Sequence, residues 1–416
     1  MKAPPFFRRG FFYCIRRKAF YTPRKTGKIS LMRKLPAAVL SFLLLALCGA
    51  SFGMSDKPVD TSAKRPSRYK PLFSMLHLQP AKKDKGQVRT IFGMGKPTPR
   101  PAPSGEALPL FPHGQYTDLS LRFSQYFTIA NGLFDSYKIA DLRRYDYLFV
   151  PGLFSNTVVS PVRLGRTESD KGYFDAYIQL VENDLHAPAA IADIESEQIP
   201  SYNAPRVAAI LRNFSRPVII VTHSKGGIDT LAALLDNPDL WPKVRGVICI
   251  QTPFFGSQAA DYITTGKYLY TAAGRLLRAM NGTEKTALEL TTSLRISYYR
   301  QREKEINALL RAVPFVTFGS WKENEGPFVD TPYIVWRSVI AERGSPRSDG
   351  LVPLESTRLP GSFHAEASGF DHSCTVRPSH FLRCDRVRLF KTLLLLLPKK
   401  TSAEAAAKSP ANGRAN

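Results

Sequence analysis

The sequence predicts an α/β architecture: a mostly parallel sheet of about six strands flanked by helices, with a helical cap insertion. Three observations predict it. Short apolar runs alternate with amphipathic segments between residues 145 and 250, the order that yields a parallel sheet covered on both faces. The run Val218 to Val221 is continuously apolar, as suits a central strand with no solvent face. Residues 258–312 are helical in pattern almost throughout and interrupt the alternation, as an insertion between two core strands would.

Each element has its own signal. Tyr145 to Val150 reads as a strand, and Phe174, Tyr177, Ile178, Val181 and Leu185 mark a helix. Ala189 to Ile194 is a strand, and 204–214 a helix with Pro205 near its start. After Val218 to Val221, the residues Ile228, Leu231, Ala232 and Leu235 form a helical stripe that stops before Pro238. Val244 to Ile250 is the next strand. Beyond the insertion come strands at Pro314 to Phe318 and Ser362 to Ala367, then a helix over about 385–397. No pair of strands precedes Tyr145. The apolar, aromatic-bearing insertion is either a lid or additional packing.

The 416 residues carry a formal charge of +24, unevenly spread. Residues 1–110 hold 22 Lys and Arg against 4 Asp and Glu, whereas the remainder holds 36 against 30. Basicity thus belongs to the N-terminal segment. No basic stripe interleaved with aromatics follows residue 110, which argues against nucleic acid as a partner. Residues 55–115 are rich in Lys, Pro, Ser and Gly and read as an extended linker, either merely solvated or brushing an anionic membrane surface. The tail from Lys399 is similarly polar.

Residues 32–50 supply two cations, an apolar core and small residues at Cys48 and Ala50, the plan of an export signal, either cleaved after Ala50 or kept as a lipid anchor at Cys48 or an uncleaved membrane anchor. Met32 stands where such a signal would start. The domain plan is therefore an extension with signal (1–50), a linker (51–115), a folded domain (116–398, helical cap about 258–312) and a tail (399–416). Export, in a bacterial cell, is the localisation this implies. Of the cysteines after the signal, Cys249 lies in an apolar strand pattern and reads as a buried hydrophobe. Cys374 and Cys384 either close a disulfide or remain free thiols.

The chemistry starts at Thr222-His223-Ser224-Lys225-Gly226-Gly227. A strand that ends on a serine, followed at once by glycines and a helix, is the plan of a nucleophile elbow; the alternative is a Ser/Gly turn capping an ordinary helix. Thr222 occupies the position where that motif carries its first glycine. A serine hydroxyl needs a general base oriented by a carboxylate, and here the partners should follow Ser224 in the order acid, histidine. Asp349, before Gly350 in an exposed-looking loop, is the acid candidate. His372 follows the last strand signal and is the base candidate, ahead of His364 within the strand and His380 at a helix start. His223, adjacent to the serine, points to the opposite side and reads as packing. Oxyanion donors are expected from the amides of Lys225 and of Leu153, the latter turned inward at Gly152.

With these motifs in hand, the chain resembles the α/β-hydrolase superfamily, and within it bacterial lipases and esterases. Pro151-Gly152-Leu153 stands for the family's His-Gly-x, Thr222 to Gly227 for its elbow, and Gln251 to Ser257 for its Thr-Pro-His-x-Gly-Ser stretch. Ser348-Asp349-Gly350-Leu351-Val352 matches its Asn-Asp-Gly-Leu-Val, and Asp371-His372 its Asp-His. The resemblance implies Ser224 as nucleophile, Asp349 as acid and His372 as base. It implies an ester or lipid-ester substrate and no cofactor. Some relatives hold calcium through an aspartate shortly after the histidine; Ser373 to Pro378 contains no acid, so that metal is not expected here. An acyltransferase, or an inactive member that binds lipid or protein, would share the fold.

Overall fold

The structure, a computed structural model, describes residues 111–398 apart from 113, 138, 156–171, 324–330 and 379–383. The leader read at 32–50, the linker up to residue 110, the tail from 399 and His380 all lie outside the described residues. Among the described residues, no helix is long and apolar enough to cross a membrane.

Seven parallel strands form one sheet. In chain order they are β1 (Thr117–Asp118), β2 (Asp146–Val150), β3 (Ala189–Ile191), β4 (Val218–His223), β5 (Val244–Ile250), β6 (Phe315–Trp321) and β7 (Phe363–Ser368), arranged β1-β7-β6-β5-β4-β2-β3. β1 is the strand beyond the expected six or so. Its two residues pair with Phe363 and His364 at the sheet edge, too short a stretch to display an alternating pattern. The central strands are apolar because both faces are covered: every residue of β2, β4 and β5 is buried.

Helices α1 (Ser120–Tyr137), α3 (Asp175–Gln179, continued by a π turn over Leu180–Asp184) and α11 (Arg386–Leu396) cover one face. The other face takes α4 (Pro200–Arg212), α5 (Lys225–Asp236) and α9 (Thr292–Ala312). A short α2 (Ile139–Leu142) leads into β2. The insertion therefore divides. Ile296, Tyr299, Ile306 and Leu309 of α9 belong to the sheet core, so the helical cap expected over 258–312 does not extend through residue 312. Periodicity marks α9 as amphipathic without saying which layer its apolar face meets.

A separate cluster forms above the carboxyl ends of the strands. It joins α6 (Gln258–Thr265), α7 (Lys267–Ala279), α8 (Lys285–Glu289) and α10 (Thr331–Glu342) through Ile263, Leu276, Leu277, Trp336 and Ile340, with Phe154 beneath. Strand order reverses between β2 and β4, because the chain leaves β2 outward to β3 and returns on the other side. A crevice forms outside the carboxyl ends at such a switch point. The loop after β2 and the turn after β4 both open into it.

Candidate active site

Ser224 sits at the end of β4 with φ 53° and ψ −130°, a conformation that a non-glycine residue holds only under constraint, at roughly 1–3 kcal/mol. The surroundings supply the constraint. The Ser224 amide donates to Ile250 O at 2.9 Å, and its carbonyl accepts from Gly227 N at 3.0 Å. The glycines after it are required by space. A Cβ on Gly226 would lie 2.3 Å from Val150 O, and one on Gly227 2.1 Å from Thr252 Oγ1. The turn is an elbow rather than a plain helix cap: the Ser224 side chain makes no capping bond to α5. Thr222 fits without strain. It lies on β4 opposite Cys249, and its hydroxyl donates to Ile248 O at 3.4 Å.

Asp349 and His372 meet Ser224 here. His372 Nδ1 is 2.8 Å from Asp349 Oδ2, and His372 Nε2 is 2.9 Å from Ser224 Oγ. An ionised carboxylate only accepts, so Nδ1 carries the proton and Nε2 faces the serine hydroxyl as an acceptor. Asp349 is itself fixed. Its Oδ1 accepts from Leu351 N at 2.9 Å and Val352 N at 2.8 Å, and its carbonyl accepts from His372 N at 2.9 Å. Gly350 at φ 107° permits this turn, and a Cβ there would come within 2.3 Å of Tyr333 Cβ. His364 points elsewhere: its Nδ1 meets Thr317 Oγ1 at 2.8 Å and its Nε2 lies 3.4 Å from Glu366.

The Lys225 side chain turns beneath the elbow, where both Asp229 oxygens lie within 2.8 Å of its ammonium. Asn203 donates to the same carboxylate at 2.9 Å. What Lys225 presents beside Ser224 is its amide, at the first position of α5, where helix N–H groups lack intrahelical partners. In the loop after β2, the Gly152 amide is already engaged by the Tyr173 hydroxyl at 3.2 Å. Leu153, the next residue, lines the crevice.

His223 is more than packing. Its Nε2 lies 2.8 Å from His372 O and 3.1 Å from Gln251 Oε1, both acceptors, so this nitrogen carries the proton. Nδ1 then accepts from the Tyr173 hydroxyl in a short bond. Burial, with His372 and Arg377 nearby, holds the His223 pKa well below its usual value, consistent with a neutral ring. Sequence reasoning missed Tyr173 and Gln251. Gln251, at φ 51°, also donates to Ser320 Oγ at 2.6 Å and Asp371 O at 2.9 Å.

The loop after His372 is tied down by a disulfide between Cys374 and Cys384, whose Cα atoms lie 5.9 Å apart. Cys249 is free and buried, and burial pushes its thiol up to about 12. Among the described residues, no cluster of His, Cys, Asp or Glu could hold a metal ion.

Ser224 and His372 face a chamber of about 120 Å³ that opens to solvent. Its floor is Leu153, Pro253 and Val376, and its roof is built by α6, α7, α8 and α10. Four alanines, Ala259, Ala260, Ala273 and Ala287, line the roof beside Ile263, Leu277, Tyr333 and Trp336. An apolar chamber with a few converging polar atoms suits a ligand with an extended apolar part.

The sheet, its switch point and the elbow define an α/β-hydrolase fold, the fold of lipases and esterases. The chain is similar to the metagenomic carboxyl esterase MGS0156, at 17% identity over 70% of this chain and 95% of that one, with a TM-score of 0.53. It is also similar to the Bacillus licheniformis lipase BlEst2 in mature form, at 23% identity over 55% of this chain and 85% of that one, with a TM-score of 0.41. No protein-family model and no curated protein matches the chain.

Proposed function

We propose that the chain is an exported serine hydrolase that cleaves carboxylic esters, above all esters of lipids. The observation that carries this reading is His372, whose two ring nitrogens bridge Ser224 Oγ at 2.9 Å and Asp349 Oδ2 at 2.8 Å. Ser224 attacks the ester carbonyl while His372 Nε2 takes its proton. Asp349 holds the ring in the required tautomer and stabilises the imidazolium. The Lys225 and Leu153 amides stabilise the oxyanion. His372 then protonates the departing alcohol, and water, activated by the same nitrogen, releases the acyl group from Ser224. The apolar chamber supports a lipid acyl chain, and the Cys374–Cys384 disulfide is compatible with an oxidising compartment.

The test is labelling with a fluorophosphonate, together with hydrolysis of p-nitrophenyl esters of increasing chain length. Wild type should label at Ser224, and Ser224→Ala should lose labelling and roughly 10⁴–10⁶ of the rate. Unchanged hydrolysis by Ser224→Ala would overturn the reading. Turnover of short esters alone would narrow the substrate from lipid to small ester.

A further inference from the structure

The chamber's walls are apolar or neutral but for one residue: Arg377 is the only permanently charged side chain among the described residues that line it. Its guanidinium stacks over the Tyr173 ring, 4.4 Å from the centroid, and its Nη2 reaches Phe154 O only at 3.5 Å. No carboxylate among the described residues forms an ion pair with it. By contrast, Lys225, Arg302 and Arg358 each meet a carboxylate within 2.7 Å. Arg377 is half-buried, and a lone positive charge on an otherwise uncharged wall attracts an anion that enters the chamber. A guanidinium over an aromatic ring retains N–H donors that can grip phosphate or carboxylate oxygens.

The place of this charge relative to the chemistry is set by Tyr173. The hydroxyl end of its ring contacts the Gly152 amide, and a Cβ on Gly152 would come within 2.8 Å of Ser224 Cβ. The stacked guanidinium is thus separated from the nucleophile by little more than one aromatic ring. Its field reaches the Tyr173 hydroxyl: burial raises Tyr173 to about 12, and the Arg377 charge opposes that rise.

We propose that Arg377 recognises an anionic group on the substrate, so that the chamber takes acyl esters carrying a phosphate or carboxylate a few bonds from the scissile carbonyl. This rests on the ester-hydrolase reading above. The acyl chain occupies the alanine-lined roof, and the anion lies against the guanidinium edge.

Three monomeric substrates sharing one acyl chain test it: 1-hexanoylglycerol, 3-hexanoylglycerate and 1-hexanoylglycerol 3-phosphate. Wild type should favour at least one anionic ester over the neutral one by about tenfold or more in kcat/KM, through KM. Added salt should shrink that preference. Whichever anion gains more identifies the source. Arg377→Gln should bring the ratio close to one, and Arg377→Lys should give an intermediate ratio; using ratios within each variant cancels any general loss of folded protein. Equal rates on all three substrates in wild type, or a preference that persists in Arg377→Gln, would overturn the inference while leaving ester hydrolysis standing. Failure to cleave any of them, together with absent fluorophosphonate labelling of Ser224, would overturn the hydrolase reading itself, and this inference with it.

Discussion

The Tyr173 hydroxyl joins the Gly152 amide to His223 Nδ1, and the opposite nitrogen of His223 holds the carbonyl of His372. Protons run one way along this chain: Gly152 N–H to Tyr173 O, Tyr173 O–H to Nδ1, Nε2–H to His372 O. The backbone of the candidate base is thereby fastened to the loop that presents Leu153. Tyr173→Phe removes a central link and leaves two buried polar atoms without a partner. We expect kcat to fall about 10–100-fold with KM little changed, since misplacing a catalytic group acts on the transition state. Affinity for a boronic acid analogue of the tetrahedral intermediate should fall in parallel. A rise in KM at constant kcat would instead make Tyr173 a simple wall of the chamber.

Thr222 occupies the position where an elbow usually carries glycine, yet it is a regular strand residue, fully buried, with its hydroxyl bonded. Thr222→Gly should therefore destabilise the protein by about 1–2 kcal/mol, through lost packing and added chain entropy. Thermal melting reads this directly. A higher melting temperature in the variant would mean that Thr222 is strained after all.

The Cys374–Cys384 bond closes the segment that begins two residues after His372. Reduction should cost roughly 2–4 kcal/mol of stability and lower activity by loosening that loop. Dithiothreitol titrations, compared with the double variant Cys374→Ala/Cys384→Ala, should agree. Equal activity in oxidised and reduced protein would restrict the bond to a role in stability. Cys249 should stay unlabelled by maleimide until the protein unfolds.

His223 and His364 are both buried, and burial lowers the pKa of each below 6.5. The unfolded chain therefore binds protons that the folded protein refuses. Stability from these groups is complete above the unfolded value near 6.5 and declines as pH falls below it, by at most about 1.4 kcal/mol per pH unit for each ring. Melting temperature should drop between pH 6.5 and 5, and His223→Asn should flatten part of that slope. A melting temperature that rises on acidification would contradict the neutral assignment of His223.

Much of this was legible in the sequence where the signal is local. The apolar run of β4, the glycines after Ser224 and the loop positions of Asp349 and His372 could be read because strand periodicity, turn chemistry and chain order each constrain them. Tyr173 could not be read so: its partner His223 lies 50 residues away, and nothing around Gly172-Tyr173-Phe174 marks a polar role. Gln251 was visible as part of a Gln-Thr-Pro stretch, but its bonds to Ser320 and Asp371 exist only once β5, β6 and the loop after β7 converge. The period of helix α9 was readable but its layer was not, because an apolar stripe does not name its partner. Helix α10, which completes the roof with Tyr333 and Trp336, went unread.

The alanines over the chamber carry a last consequence. Ala259 and Ala260, Ala273 and Ala287 come from three different helices, and all four line the chamber away from Ser224, His372 and Asp349 in the chain. They act as a ruler whose graduations are methyl groups. If the proposed acyl esters bind there, replacing one of them by valine or leucine should shorten the longest chain turned over, and position by position the set would measure how a chain lies in the protein. On the proposed reading, selectivity for chain length would be separable from the chemistry, held in a layer of the fold distinct from the one that carries Ser224, His372 and Asp349.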